Sequence, residues 1–259
     1  MKKETIKYLP VIILIPAIYL MLIGSLFIYF DTEKFVEIIT SKRVLFSLKL
    51  SVLTSTLVAC ISTLMAIPVA YILSRKNFLF KSMIDVLIEI PLVVSPAALG
   101  AMILIFFNTS VGYFFQEKFF TVVLSINGII VAQVISTVAI SIRLIKSVMD
   151  EVPKRYEQIA MTLGASAFQS FYKITLPLSI RGILASFILV WAKSIGEFGA
   201  TMTVAGTMPL KTETLPIAIY LYLSSADVRG TVVLILISII IGVISLSLFR
   251  YFTNKSFYD

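Results

Sequence analysis

Residues 230–252 carry one charged side chain, Arg250, in a run of Val, Leu, Ile, Ser and Gly. A helix needs about 20 apolar residues to cross the hydrocarbon of a bilayer, and this run is long enough. Five more stretches have the same character: residues 9–30, 48–73, 84–107, 121–145 and 178–203. Their apolar residues are continuous rather than alternating, which reads as helices and not as strands of a barrel. Only 14% of the 259 residues are charged and 59% are hydrophobic, where a soluble domain carries about 25% charged residues. The expectation is an all-α polytopic membrane protein: one transmembrane domain over residues 1–259 with six spans.

Several function classes fall away on composition. The net charge is +8, but the basic residues do not form a patch interleaved with aromatics, so nucleic acid is not expected as a partner. They sit at the ends of the apolar runs. Lys2, Lys3, Lys7, Arg75, Lys76, Lys81, Arg143, Lys146, Lys154, Arg155, Lys173, Arg181, Arg250 and Lys255 fall on one side. Lys34, Lys42, Arg43, Lys118, Lys211 and Arg229 fall on the other. The richer side is predicted to be cytoplasmic, with both termini. The basic stretch 1–7 before an apolar run resembles a secretory signal, but the run is longer than a signal core and lacks a small-residue cleavage site, so it is read as a first span. A single cysteine, Cys60, and no histidine leave no disulfide, no CxxC pair and no HExxH site. No cofactor or metal is expected in this chain.

Within the runs, polar and small residues mark places of interest. Ser51, Ser55, Ala59, Ser62, Ala66 and Ala70 recur at steps of three and four, a face of small side chains that lets membrane helices pack closely. Lining of a polar pathway is the other reading. Pro91 and Pro96 are predicted to bend or unwind the third span, and Glu89 must face the bundle or water. Lys193 and Glu197, four residues apart near the end of the fifth run, can pair on one helical face. An anion pathway would draw on Lys193, Ser194, Thr201 and Thr203, with Glu197 as a structural or gate element and Glu89 near the path. The apolar patch within residues 205–229 is too short to span and reads as a helix lying in the outer interface or dipping partly into the membrane.

Residues 150–177 differ in kind from the runs. Charged residues are frequent there, yet Ala160, Leu163, Ala167, Phe168 and Phe171 follow helical spacing. An amphipathic helix of this sort suits a groove on a partner protein. The stretch reads Gln158-Ile159-Ala160, three residues, Gly164, nine residues, Ile174, one residue, Leu176-Pro177. This spacing resembles the EAA loop of the membrane subunits of bacterial and archaeal ABC importers; Gln158 and Ile159 depart from its first two letters, and Glu157 precedes them. Residues 196–206 (GEFGATMTVAG) and 212–220 (TETLPIAIY) look like the permeases of tetrahedral oxyanions, molybdate and tungstate first, sulfate and thiosulfate near by.

The resemblance implies a type I importer permease fold with loop 150–177 docked on an ATPase through Glu157, Gln158, Ala160, Leu163, Gly164, Ala167, Phe168, Phe171, Leu176 and Pro177. It also implies a second copy of the chain, two cytoplasmic ATPase subunits that hold the ATP and Mg, and an extracellular binding protein. The chain itself has no GxxxxGK[ST] phosphate loop. A secondary transporter or channel acting alone is the rival class; such proteins mark the midplane with ionisable residues or repeated broken helices, and the two halves here share no evident motif.

Overall fold

Polar residues at the edges of the apolar runs set where the helices begin. The structure, a computed structural model, describes residues 2–254. Helix α1 (Lys2–Leu26) passes through Pro16 without interruption and ends in a 3₁₀ turn, Phe27–Tyr29. Asp31 then caps α2 (Thr32–Thr40), accepting from the N–H groups of Glu33 and Lys34. The first apolar run and α2 meet at 92°, the geometry of a broken span or of a re-entrant loop. Helix α3 (Lys42–Arg75) is longer than the expected second span at both ends.

The third span breaks where the prolines predict. Helix α4 (Lys81–Val93) and helix α5 (Pro96–Phe107) meet at 110°. Ser95, held extended by the proline after it, caps α5 by accepting from Ala98 N–H. The connection 108–120 contains a helix, α6 (Ser110–Lys118). The fourth span differs from the expected 121–145: helix α7 is Ile126–Glu151. Its start is displaced because the Gln116 side chain accepts from the N–H groups of Val122 and Val123, holding that apolar stretch in a turn. Its end lies at Glu151 because Pro153 stops the helix there.

Helix α8 (Lys154–Thr162) and the single turn α9 (Ala167–Ser170) form the polar connection. A π-helical turn, Phe171–Thr175, feeds directly into α10 (Leu176–Ile195), with Pro177 in its first turn. The fifth run is not one helix to residue 203: it stops at Gly196 and restarts as α11 (Gly199–Ala205). Then come α12 (Leu215–Ser224) and α13 (Val228–Asn254). Among the described residues, four helical stretches are long and apolar enough to cross a membrane, with up to six crossings if each bent pair is one span.

Lipid tails are as apolar as leucine, so close packing rather than burial from water must join these helices. The small face of α3 does this. Ser51, Ser55, Ala59, Ser62, Ala66 and Ala70 are all buried, and α7 is the neighbour α3 meets most extensively. The packing reading of that face is the one the structure supports. Ala66, Ala70 and Leu73 of α3 join Ile142, Ile145 and Met149 of α7 and Ile183 of α10 in one cluster. A second cluster joins α5, α7 and α11 through Leu99, Ile103, Ala132, Ala200 and Val204. A third holds α12 on α3 and α13, with Leu215 and Ala218 against Val44 and Val233; α12 is thus inserted into the bundle, not merely laid on it.

Candidate functional site

The connection 150–177 is built from a helix stop and a helix start. Ala165 N–H donates to Ala160 O at 3.0 Å and Gly164 N–H to Met161 O at 3.1 Å, the paired bonds that close a helix C-terminus. The position after the cap takes φ +91° at Gly164, a left-handed conformation that suits a residue without a Cβ. Ser166 and Gln169 then form a capping box that starts α9. This places two short helices side by side.

The apolar residues of the loop divide between two faces. Leu163 (84% exposed) and Phe168 (74%) stand outward with Tyr156, Ile159, Met161 and Tyr172. Ala160 is half-buried, Ala167 and Pro177 are exposed, and Phe171 and Leu176 turn inward onto the α3, α7 and α10 cluster. The Phe171 ring lies 4.4 Å from the Tyr71 ring, centre to centre. Gln158 is exposed.

Glu157 does not belong with the outward set. It is 6% exposed and points into the bundle, where Arg75 Nε donates to it at 2.7 Å and Tyr71 Oη at 3.0 Å. Thr175 Oγ1 donates as well. Arg75 continues the network, with Nη2 on Val152 O at 3.0 Å and Nη1 on Ser74 Oγ at 3.1 Å; Ser74 Oγ in turn donates to Asp150 at 2.5 Å. Burial alone would raise the Glu157 carboxyl, but the bonds from Thr175 and Arg75, the Arg75 charge and Tyr71 outweigh it and hold it below the usual glutamate value.

Two breaks in the helices face each other within the bundle. The α4–α5 corner and the Gly196–Phe198 interruption border a cavity of about 150 Å³ lined by Pro91, Pro96, Leu99, Ser136, Lys193 and Glu197, among others. Lys193 Nζ lies 3.4 Å from Glu197. Glu197 is 2% exposed, and its other oxygen accepts from Ala200 N–H at 3.2 Å, capping α11. Lys193 is 46% exposed along its side chain. Thr201 is fully buried and does not line this cavity; Thr203 donates to Gly199 O. Glu89 lies elsewhere, in a wider cleft of about 500 Å³ with Asp85, Arg143, Lys146 and Asp150, and pairs with Arg143 at 3.3 Å.

The sequence brings Lys193 and Glu197 together correctly, because four residues is one helical turn. It does not show Arg75, Tyr71 and Thr175 as partners of Glu157. Arg75 counts there as an orientation residue, and only the four-residue step from Tyr71 to Arg75 hints at a shared face. Arg43 is a similar case: its Nε lies 2.9 and 2.8 Å from the two carboxylate oxygens of the fully buried Glu213.

Comparison with known proteins sets these features in context. Residues 62–257 match the family model described as "Binding-protein-dependent transport system inner membrane component". The molybdenum transport system permease protein ModB of Haemophilus influenzae is 35% identical over 213 residues, covering 81% of this chain and 92% of that protein. The molybdate/tungstate transport system permease protein WtpB of Pyrococcus abyssi is 32% identical over 175 residues, covering 68% and 66%. Sulfate transport system permeases match at 27% and 28% identity. The fold is similar to that in the crystal structure of a bacterial ABC transporter involved in the import of the acidic polysaccharide alginate, with a TM-score of 0.70 at 14% identity over 97% of this chain and 98% of that one.

Proposed function

From the premise that this chain belongs to the binding-protein-dependent transport system inner membrane components, we propose that it is the permease of an ATP-driven importer of molybdate or tungstate. The observation that carries the coupling half is the outward apolar face of Ile159, Leu163 and Phe168 on a loop whose turn is set by Gly164. An apolar face standing in water at a membrane surface calls for a protein groove to cover it. The substrate half rests on the oxyanion-type segments 196–206 and 212–220 and on the molybdate and tungstate relatives.

In this reading two copies of the chain enclose the path, and each loop 150–177 docks on a cytoplasmic ATPase that binds ATP and Mg. An extracellular binding protein delivers the anion, and closure of the ATPase pair shifts the bundles between two packings. Gln158, Ala160, Leu163, Gly164, Ala167 and Phe168 form the docking side, while Phe171, Leu176 and Pro177 carry it into α10. Lys193 is the pathway cation, and Glu197, neutralised by it, is a structural or gate element; Thr201 lies buried on α11. Glu89 with Arg143 borders the inner mouth. The sulfate and thiosulfate branch is the nearest alternative, and a transporter independent of any ATPase is the more distant one.

The test is uptake of labelled molybdate into proteoliposomes holding the chain, its ATPase and its binding protein. Uptake should need ATP, and tungstate should compete strongly and sulfate weakly. Sulfate winning outright would move the substrate to the neighbouring branch, and uptake without any ATPase would overturn the coupling.

A further inference from the structure

A carboxylate on a docking loop can meet the partner or fasten the loop to its own bundle, and its neighbours decide which. Glu157 is buried, and both of its carboxylate oxygens are taken up by donors of its own chain. Tyr71 and Arg75 lie on the last turns of α3, Thr175 is the residue before α10, and Arg75 also holds Val152 O at the corner between α7 and α8. One carboxylate on α8 therefore meets donors from α3 and from the entry to α10, with the α7 corner one bond away. Ile159, Leu163 and Phe168, the residues fit for docking, stand outward from it. Apolar contacts alone would let a short helix slide when its partner moves. An oriented, buried ion pair does not slide without leaving a charge unpaired away from water.

We propose that Glu157 is a positioning residue that makes α8 rigid with α3 and α10, so that displacement of the docked loop reaches two membrane spans at once. It does this without touching the ATPase. The proposal rests on the reading of 150–177 as the docking loop, and its failure is separable from failure of that reading.

The experiment uses the complete importer in proteoliposomes, with molybdate as the probe and three readouts: co-purification of the ATPase, ATP hydrolysis, and molybdate taken up per ATP hydrolysed. For Glu157→Gln the ATPase should stay bound and active while uptake per ATP falls about tenfold, within the usual range of coupling energies. Glu157→Asp should restore part of the ratio. Loss of the ATPase from a folded Glu157→Gln chain would mean that Glu157 contacts the partner, and an unchanged ratio would mean that it transmits nothing; either overturns the proposal. If Glu157→Gln fails to assemble, Thr175→Val removes one donor and leaves the ion pair, and an unchanged ratio in that variant overturns it equally. An ATPase that never co-purifies with the wild-type chain strikes the docking reading instead.

Discussion

Gly164 shows how much of the loop rests on one residue. Among the described residues, beyond Gly164 and its two chain neighbours, no atom lies within 4 Å of where its Cβ would stand, so space is no obstacle; the obstacle is φ +91°. Gly164→Ala and Gly164→Leu should then destabilise the isolated chain by a similar amount, about 1–2 kcal/mol, from the left-handed backbone alone. Thermal unfolding of the detergent-solubilised chain checks this. With the ATPase present the two variants should part, Gly164→Leu losing more of the co-purified partner because its larger side chain stands on the docking side. Equal loss would mean that Gly164 serves the turn and not the approach of a partner. The loop was legible from its spacing, since Gly164 and Leu176-Pro177 are local signals. The inward turn of Glu157 was not, because Arg75 lies 82 residues away and Tyr71 lies 86.

Among the helices, continuous apolar runs and the small face of α3 were readable because each is a property of one segment. The break between α4 and α5 was readable from Pro91 and Pro96. The turn before α7 was not: residues 121–125 are as apolar as a helix start, and a side chain from α6 keeps them out of it. The same logic governs the contact of α5 with α11. A Cβ on Gly199 would stand 2.9 Å from Pro96 Cβ and 3.1 Å from Ala97 N, and one on Gly100 2.8 Å from Thr203 Cβ and 2.9 Å from Ala200 Cα. Gly199→Ala and Gly100→Ala should each push the two helices apart at a cost of about 1–3 kcal/mol. A lowered melting temperature with reduced uptake is the expected result; wild-type melting in both would show that the contact yields freely.

At the scale of the whole molecule, α1 stands apart. From Ile13 to Ser25 nearly every side chain is exposed, and the chief neighbour of α1 is the turn that follows it. Lipid or a second copy of the chain can cover such a helix, and the proposed pairing of two copies makes the second copy the expected cover. Light scattering of the detergent-solubilised protein should therefore report a dimer, and deletion of residues 2–28 should shift it to monomer. A dimer that survives the deletion undiminished would assign the contact to other helices.

The seam between α3 and α7 has a consequence for how such a chain can diverge. Across it, Ser62 and Thr137 share a hydrogen bond at 3.1 Å, but among the described residues the hydroxyls of Ser55 on α3 and Ser141 on α7 are buried without a hydrogen-bond partner. At those positions loss of the hydroxyl should cost little and added volume much. Exchange among Gly, Ala and Ser leaves the two helices in register, whereas one added isobutyl group separates them. What descent must preserve along this seam is a distance, and the letters that keep it are free to drift.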